Sequence, residues 1–320
     1  MIRMATIGTS TITHTFIAET AEVPEIDVTV AYSRTAERAQ TFAAANGVPG
    51  WAAGPLDDLL ASDAIDAVYI ASPNALHHRQ AQAAIAAGKH VLVEKPATPT
   101  AAEFADLVAA AHARGVVLLE GMRNVYDPGF AAVRDLLPRL GTIRRVSFGY
   151  QQRSARYDIV LAGEQVNIFD PAMAGGALLD LGVYCIAPLV DLFGEPPSLV
   201  ARSIPLPGAA DGAGAVLASY PGFIADASWS KITFSHRPSE IQGELGTLTI
   251  DHIAAPRTLH LTLLDGTEEH HELGIPRPNL RYHARRFAHL VASGDDPSPD
   301  QTRTLRTLRT MDAIRLACAD

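Results

Sequence analysis

The chain has 320 residues, of which 48% are hydrophobic and 19% charged, and its formal net charge is −9. This length predicts about two domains, and the composition is typical of a soluble globular protein with a sizeable core. The acidic balance, without a basic run that would follow a phosphate backbone, argues against nucleic acid as a partner. Cys185 and Cys318 are far apart in apolar surroundings, which is typical of free thiols in a reduced compartment.

Membrane association and secretion are not expected from this sequence. No apolar run reaches the roughly 20 residues that a membrane helix needs. The first residues, "MIRMATIG", begin a strand at once and leave no room for a signal peptide. We therefore expect a cytoplasmic protein with no membrane partner.

Short apolar runs alternate with helical patterns in the first third of the chain. The runs predict strands covered on both faces, at residues 4–7, 28–32, 67–71, 90–93 and 116–119. The helical stretches cover residues 35–46, 75–87 and 101–114, and Gly88 and Gly115 lie just beyond the last two. This alternation predicts a doubly wound α/β sheet of parallel strands over residues 1–121.

The pattern changes in the remainder of the chain, residues 122–320. Helices are predicted at 127–137 and 176–192, with a strand at 143–151 between them. Alternating strands separated by turns follow over residues 199–273, and helices at 279–293 and 299–319 complete the chain. The pattern predicts an α+β domain with an antiparallel sheet. If the outer face of that sheet is apolar, we expect copies of the chain to associate through it as a homodimer or homotetramer.

The loop after the first strand, "IGTSTITHTFI", has the position of a dinucleotide-binding turn. That fingerprint requires glycine at the turn, glycine where the backbone meets pyrophosphate, and a small residue where helix meets strand. Only the first of the three positions, Gly8, is glycine, and Ser10 and Thr13 occupy the others. The candidate cofactor residues here are Gly8, Ser10, Thr11 and Ile12. The alternative is an ordinary strand-to-helix turn that contains one glycine.

The end of the second strand, "VAYSRT", bears on the choice between NAD and NADP. An Asp or Glu at this position usually holds the ribose of NAD. Ser33 and Arg34 instead offer a hydroxyl and a guanidinium, which suit a phosphate monoester. We therefore expect NADP in preference to NAD. The alternative is that Ser33 caps the next helix and Arg34 is a solvated side chain.

Two further strands are followed by polar residues at the edge where doubly wound sheets bind ligands. Ser72, Pro73 and Asn74 follow one strand, and Glu94 and Lys95 follow another. Glu94 is expected to brace Lys95 or to bond a ribose hydroxyl, and Lys95 to donate to a substrate oxygen. The alternative is that Asn74 only caps a helix and that Glu94 and Lys95 form a surface pair.

No metal site is predicted. Adjacent histidines on a helix, such as His77 and His78, point about 100° apart and chelate poorly. His270 and His271 lie on a predicted strand, where neighbouring side chains face opposite ways.

The segment "AGGALLDLGVYCI" is the candidate site of the second domain. Gly175 and Gly176 permit a sharp turn or a close backbone approach. Asp180 and Tyr184 are four residues apart, which on a helix places a carboxylate and a phenol on one face. An acid and a phenol beside the ammonium of Lys95 form a workable proton-transfer set. The alternative is that Tyr184 is a core residue and Asp180 a local cap.

These motifs together resemble the Gfo/Idh/MocA family of oxidoreductases along essentially the whole chain. The segment "DAVYIASPNALHHRQAQAAIAAGKHVLVEKPAT" is similar to the family's most recognisable block, within which the EKP triplet is specific. "GGALLDLGVYCIAPLVDLFGEP" is similar to its second block. "SARYDIVLAGEQVNIFDP" resembles members close to dihydrodiol and D-xylose dehydrogenases.

The resemblance implies a Rossmann domain followed by an α+β domain with a large open antiparallel sheet. It implies hydride transfer between NAD(P) and a secondary alcohol or ketone of a sugar, polyol or dihydrodiol. Lys95 is then the catalytic lysine, Asp180 holds a substrate hydroxyl, and Tyr184 stands where many members have histidine. His77 matches a residue that shapes the cofactor pocket, and the substrate-side positions are Arg123 and Asn167.

The predicted function is that of an NAD(P)-dependent dehydrogenase or reductase with a small-molecule substrate. Tyr184, assisted by the charge of Lys95, accepts the hydroxyl proton in the oxidative direction. The alternative from another class is a regulator on the same scaffold, which binds a dinucleotide or a sugar without catalysis. Loss of the lysine or of the acid and phenol would indicate the regulator, and this chain keeps all three.

Overall fold

The computed structural model describes residues 1–319, which fold into fourteen strands and ten α-helices. The strands, in chain order, are β1 (Ile2–Ile7), β2 (Ile26–Ser33), β3 (Gly50–Ala53), β4 (Ala67–Ile70), β5 (His90–Glu94), β6 (Leu118–Gly121), β7 (Ile143–Gln151), β8 (Ser198–Pro205), β9 (Asp211–Tyr220), β10 (Phe223–Ser230), β11 (Ser239–Gly243), β12 (Gly246–Ile250), β13 (Thr258–Leu263) and β14 (Glu268–Glu272). The helices are α1 (Thr11–Thr20), α2 (Ala36–Ala45), α3 (Leu56–Leu60), α4 (His77–Ala86), α5 (Ala101–Arg114), α6 (Pro128–Leu136), α7 (Tyr157–Leu161), α8 (Val183–Phe193), α9 (Leu280–Ser293) and α10 (Ser298–Ala319).

The chain separates into two compact units. The first contains Met1–Met122 and Pro278–Leu305, and the second contains Arg123–Arg277 and the described residues from Arg306 onward. The division into domains at residues 1–121 and 122–320 stays a prediction. The compact units differ from these domains, because the segment that contains α9 belongs to the first unit.

The first unit is built on a six-stranded parallel sheet with the order β3-β2-β1-β4-β5-β6. Strands β4 and β5 are almost entirely buried, as expected for strands that helices cover on both faces. The order reverses between β1 and β4, and the loops at that switch point form the crevice where such sheets bind ligands. The predicted doubly wound sheet is confirmed.

Helices of the first unit end where the sequence predicts. Gly115 has φ 71° and closes α5 in the left-handed conformation, and Gly88, with φ 77°, follows α4. Thr100 and Glu103 form a capping box at the start of α5. The pattern does not predict α1, which is rich in β-branched threonines, nor the short and partly exposed β3.

The second unit is built on an eight-stranded sheet with the order β14-β13-β12-β11-β7-β10-β9-β8. Seven pairs of neighbouring strands form this sheet. Only the pair of β7 and β10 is parallel, so the sheet is mixed. One face buries small and aromatic side chains of β9 and β10, among them Val216, Ala227 and Trp229. The predicted α+β architecture with a large open sheet is confirmed, and the predicted antiparallel pairing holds everywhere except between β7 and β10.

The segment before and within α8 is the most apolar part of the second unit. Pro171–Phe193 is long and apolar enough to cross a membrane, but 78% of its most apolar window is buried inside the protein. A five-residue π-helical turn, Leu178–Gly182, leads directly into α8. Single π turns of this kind often occur at functional sites.

Candidate active site

Lys95 lies directly after β5, where buried groups of the first unit hold the chain. Glu94 is 6% exposed, and its Oε1 accepts a hydrogen bond of 2.6 Å from the Tyr69 hydroxyl. Its Oε2 accepts a bond of 3.2 Å from the Lys95 backbone N–H. These bonds favour the interpretation of Glu94 as a brace for Lys95, which is itself only partly buried.

Glu120 on β6 provides a second anchor for the same turn, and sequence reasoning does not identify it. Its Oε1 accepts from the Ala97 backbone N–H at 2.9 Å, and its Oε2 accepts from the Thr304 hydroxyl at 2.9 Å. Burial raises the pKa of the Glu120 carboxyl. The turn that carries Lys95 is thus fixed on both sides by buried carboxyl groups.

His77 connects the turn after β4 to the turn after β5. Its Nε2 lies 2.8 Å from the Ser72 carbonyl oxygen, and its Nδ1 lies 3.0 Å from that of Pro96. Burial lowers the pKa of the ring, which favours the neutral form. The Ser72 hydroxyl donates to Gln80 Oε1 at 2.6 Å. The structure therefore brings Ser72 and His77 together with the turn that follows Lys95.

Asn74 does not cap α4, so the capping interpretation is wrong. Pro73 precedes a short 3-10 turn, Asn74–Leu76, and Leu76 occupies the N-cap position of α4. The proline favours extended backbone at position 72 and starts the turn early. Asn74 and Pro73 therefore lie in the loop at the carboxyl end of β4, where a ligand of this sheet would bind.

The loop after β1 meets one requirement of a phosphate-binding turn. Gly8 has φ 117°, and a Cβ atom there would lie 2.6 Å from the Ala71 carbonyl oxygen, so no other residue fits. Ser10 caps α1 with extended backbone, and its hydroxyl lies 3.3 Å from that of the buried Thr13. Ser10 and Thr11 are exposed at the N-terminus of α1 and Ile12 partly so. This end of the helix suits an anion.

Two arginines, Arg34 and Arg38, follow the end of β2. Thr35, not Ser33, occupies the cap position of α2, so the interpretation of Ser33 as the helix cap is wrong. Arg34 is exposed. Arg38, one turn further on, donates from Nη2 to the Thr9 hydroxyl at 3.4 Å. Sequence reasoning misses Arg38, which lies in the first turn of α2.

In the second unit, Tyr184 is buried against Arg123, a predicted substrate-side residue, and against the ring of Tyr150. It is 4% exposed. The guanidinium of Arg123 lies 4.9 Å from the centre of its ring, and the Tyr150 ring packs edge-on at 5.7 Å. Asn124 Nδ2 donates to the Tyr184 carbonyl oxygen at 3.1 Å. The structure thus brings Arg123 and Tyr184 together, as a substrate-side cluster requires.

Asp180 lies in the π-helical turn and not in a regular α-helix, so the α-helical basis for its predicted alignment with Tyr184 is wrong. Its side chain is 38% exposed, and its Oδ2 accepts a bond of 2.7 Å from Lys231 Nζ. Gly176, with φ 120°, opens this turn, and a Cβ atom there would lie 2.2 Å from Asp211 Oδ1. A sharp glycine turn therefore sets where the carboxylate emerges.

Lys231 is the most important residue that sequence reasoning misses. Its side chain is 2% exposed, and Nζ also donates to the Ile168 carbonyl oxygen at 3.1 Å. A signal does exist, because Ala227 and Trp229 of β10 face the core and Lys231 continues that period of two. Asn167 is exposed at the start of the 3-10 turn that includes Ile168.

The predicted residues thus form one group in each unit. Gly8, Ser33, Arg34, Glu94 and Lys95 belong to the first unit with the turn at 72–77, while Arg123, Asn167, Asp180 and Tyr184 belong to the second. Among residues 1–319, no group of three or more His, Cys, Asp or Glu side chains could hold a metal ion.

The first unit has a dinucleotide-binding type of sheet with a lysine at the end of β5, and the second unit carries an acid and a phenol. These features define the class of nicotinamide-dependent oxidoreductases. A family model described as "Oxidoreductase family, NAD-binding Rossmann fold" matches residues 2–122, and the "GFO/IDH/MocA C-terminal domain" model matches residues 130–249. The chain therefore belongs to the Gfo/Idh/MocA family of oxidoreductases, and the predicted family is confirmed.

Individual relatives support the same class. The chain is 42% identical over 317 residues to the scyllo-inositol 2-dehydrogenase (NADP(+)) of Bacillus subtilis, covering 98% of this chain and 96% of the relative. It is 29% identical over 268 residues to the mouse (Mus musculus) trans-1,2-dihydrobenzene-1,2-diol dehydrogenase, covering 81% of this chain and 77% of the relative. The predicted nicotinamide-dependent oxidoreductase is confirmed.

A solved structure shows a similar fold along the whole chain. It is the crystal structure of a 3-ketoreductase from Actinomadura kijaniata in complex with NADP and TDP-benzene. It superposes with a TM-score of 0.87 at 27% identity, covering 99% of this chain and 98% of that one.

Proposed function

We propose that the protein is an NADP-dependent dehydrogenase that oxidises a secondary hydroxyl of a cyclic polyol of the inositol type. The observation that carries this proposal is the likeness to scyllo-inositol 2-dehydrogenase, which extends over 98% of the chain. The lysine after β5 and the acid and phenol of the second unit are all present in this sequence. A regulator without catalysis would not need them.

In this proposal, the catalytic groups are Lys95 of the first unit and Tyr184 and Asp180 of the second. Tyr184 is proposed to accept the hydroxyl proton, and Lys95 is proposed to stabilise developing negative charge on the substrate oxygen. Asp180 accepts a hydrogen bond from a neighbouring hydroxyl and so orients the ring. A polyol offers such a neighbouring hydroxyl at each carbon, which suits a carboxylate fixed by a buried cation.

The bound cofactor supplies the hydride acceptor at its nicotinamide ring. Gly8 and the exposed start of α1, at Ser10, Thr11 and Ile12, are proposed to hold the pyrophosphate. Ser33, Arg34 and the additional Arg38 are proposed to bind a 2′-phosphate. This supports NADP, in agreement with the Bacillus relative named for NADP(+) and with the NADP in the 3-ketoreductase structure.

The loops after β4 and β5 complete the proposed cofactor side. The turn with Ser72, Pro73 and Asn74 is expected to face the cofactor, and buried His77 to fix its shape. Glu94 is assigned to bracing Lys95, because the Tyr69 hydroxyl and the Lys95 N–H already bond its two oxygens.

A second candidate is the reduction of a 3-keto group on a nucleotide-linked deoxysugar. The chain is 33% identical to the dTDP-3,4-didehydro-2,6-dideoxy-α-D-glucose 3-reductase of Streptomyces violaceoruber, over 93% of this chain and 89% of the relative. The same lysine and tyrosine would then donate to the ketone oxygen. The higher identity to the inositol enzyme favours the polyol.

A cytoplasmic location and a homodimer or homotetramer formed through the C-terminal sheet also belong to this proposal. The sheet face that points away from the core exposes Val200, Leu217 and Ile224 on three adjacent strands, with exposed fractions of 64%, 43% and 42%. Exposed apolar side chains on one face support association of copies.

The test is a steady-state panel of inositols, sugars, acyclic polyols and dihydrodiols, each assayed with NADP and with NAD, together with nucleotide-linked keto sugars assayed with the reduced cofactors. We expect the highest kcat/KM with an inositol and NADP. Turnover only with nucleotide-linked keto sugars would replace the first candidate by the second. Nicotinamide fluorescence that reports binding, without turnover of any member of the panel, would favour a dinucleotide-sensing regulator.

A further inference from the structure

We infer that Lys231 is a positioning residue that holds Asp180 in its substrate-binding geometry. This inference rests on the proposed function, since it gives Asp180 the task of holding a substrate hydroxyl. Lys231 Nζ lies 2.7 Å from Asp180 Oδ2. Nothing in the sequence motif of the second unit includes this lysine, which is 51 residues away from Asp180 along the chain.

The two members of the pair differ sharply in exposure. The Lys231 side chain is 2% exposed and that of Asp180 is 38% exposed. The cation is therefore enclosed by protein, whereas the carboxylate, in the middle of the π-helical turn, is partly exposed. Because Lys231 is enclosed, it contacts Asp180 but does not itself reach a substrate. Lys231 is therefore a positioning residue and not a catalytic one.

The charge of Lys231 determines the state in which Asp180 works. A buried ammonium is strongly unfavourable unless an anion is paired with it, and the carboxylate of Asp180 bonds it directly. Conversely, a cation at hydrogen-bond distance favours the ionised carboxylate. Asp180 is thereby kept as an acceptor for a hydroxyl group, and its Oδ2 is fixed by a short charge-assisted bond.

The hairpin that carries Lys231 also holds the start of the turn. The Lys231 backbone N–H donates to the Gly212 carbonyl oxygen at 2.8 Å, next to Asp211. Asp211 Oδ2 accepts from the Leu178 N–H at 2.9 Å and from Trp229 Nε1 at 3.3 Å. Strands β9 and β10 therefore fix both the entry to the π-helical turn and the carboxylate that it presents.

Lys231 has a second contact that couples Asp180 to the neighbouring loop. Nζ donates to the Ile168 carbonyl oxygen at 3.1 Å and lies 4.8 Å from the centre of the Phe169 ring. Asn167, the other substrate-side candidate of this loop, is adjacent to Ile168. One buried ammonium thus sets the relative position of two predicted substrate residues.

The experiment is a double-mutant cycle with Lys231→Met and Asp180→Asn, assayed with the best polyol of the panel. We expect Lys231→Met to lower kcat/KM by about 10²-fold through misplacement of the carboxylate. The dissociation constant for NADP should stay unchanged, as nicotinamide fluorescence will report. In the Asp180→Asn background, Lys231→Met should have little further effect, because the two residues act as a unit.

Lys89→Met is the matched control. Lys89 is also buried, at 9% exposure, and its Nζ donates to the carbonyl oxygens of Ser62 and Ile65, with no carboxylate partner in those bonds. Its loss should lower stability without changing the kcat/KM of the folded enzyme. If Lys231→Met does not fold, Lys231→Gln keeps a donor for Ile168 and removes the charge, and the Lys231→Met/Asp180→Asn variant removes both charges of the pair.

The outcomes separate the inference from the proposed function. An impaired Asp180→Asn together with a fully active Lys231→Met, or independent multiplicative losses in the double variant, would overturn the positioning role alone. Full activity of Asp180→Asn would overturn the assignment of Asp180 and with it the inference. Coupled losses on the polyol side, with NADP binding intact, support both.

Discussion

The edge of the parallel sheet in the first unit and the π-helical turn in the second hold their functional groups by different means. Lys95 follows a buried strand and is braced by Glu94, whose oxygens accept bonds from Tyr69 and from the Lys95 backbone. Asp180 projects from an irregular helical turn and is held by an ion pair with the buried Lys231. The first arrangement depends on the sheet, and the second depends on one charge.

This difference leads to an expectation about kinetics. Changes at the sheet edge away from Lys95 should act on cofactor binding, because the glycine loop and the basic end of β2 belong to the first unit. Changes at the predicted substrate residues of the second unit should act on the polyol. The variants below test whether the two regions are separable.

Tyr184→Phe should have the largest effect of these variants. Removal of the proposed proton acceptor is expected to lower kcat by about 10³-fold. The KM for NADP should not change. Tyr220→Phe is the matched control, because Tyr220 is a buried tyrosine of the same unit whose hydroxyl donates to the Gly194 carbonyl oxygen at 3.0 Å. A fully active Tyr184→Phe enzyme would remove the phenol from the mechanism.

Arg257→Met should give the largest loss of stability. Arg257 and Asp127 form a bidentate pair in the second unit, with N–O distances of 3.0 and 3.1 Å and side-chain exposures of 9% and 0%. Leaving Asp127 buried without its cation should lower the free energy of unfolding by about 3 kcal/mol.

Urea unfolding measures that loss. Arg144→Met is the control, since the Arg144 and Glu244 side chains are 52% and 49% exposed, and its effect should be about 0.5 kcal/mol or less. Equal effects of the two variants would contradict the interpretation that burial makes the first pair important.

Arg34→Ala should change the choice of cofactor. Loss of a charge-assisted bond to the 2′-phosphate is expected to raise the KM for NADP by about 30-fold. The KM for NAD and the KM for the polyol should stay the same. Arg114→Ala removes another exposed arginine of the first unit and should change none of the three. A parallel rise in the KM values for NAD and NADP would show that Arg34 does not read the phosphate.

Asp66→Asn should have the smallest effect, and it should depend on pH. The Arg3 guanidinium lowers the pKa of the Asp66 carboxyl from 3.8 to about 2. Because the pKa is depressed in the folded state, this stabilisation is present above about pH 4 and is lost as pH falls towards 2. Both side chains are over a third exposed, so solvent screening limits it to about 1 kcal/mol.

Urea unfolding of the wild type and Asp66→Asn as a function of pH measures this dependence. The difference between them should be constant from pH 7 to about pH 5 and should shrink at lower pH. A difference that grows on acidification would have the opposite sign and would contradict the assignment.

The sequence predicts the parallel sheet and its ligand edge well, for a physical reason. Buried parallel strands appear as continuous apolar runs, and their carboxyl ends lie on one edge, so Gly8, Asn74 and Lys95 are found from local patterns. Lys231 and Glu120 are not, because their partners Asp180 and Ala97 are 51 and 23 residues away. Their roles arise only from tertiary contacts.

Local sequence patterns also predict the wrong backbone conformation at two places. Asn74 is a good capping residue, but the preceding Pro73 starts a 3-10 turn before α4. A spacing of four between Asp180 and Tyr184 indicates one face of an α-helix, but Gly176 opens a segment in which residues 178–182 form a π-helical turn. In both cases a neighbouring proline or glycine decides the backbone and overrides the pattern.

We propose that Lys95 takes part in the chemical step and is not needed to hold the cofactor. The most direct measurement is NADP binding and polyol turnover by the same preparation of Lys95→Met. We predict a dissociation constant for NADP close to that of the wild type and a loss of kcat of at least about 10³-fold. Turnover at the wild-type rate by Lys95→Met, with NADP bound, would contradict the account.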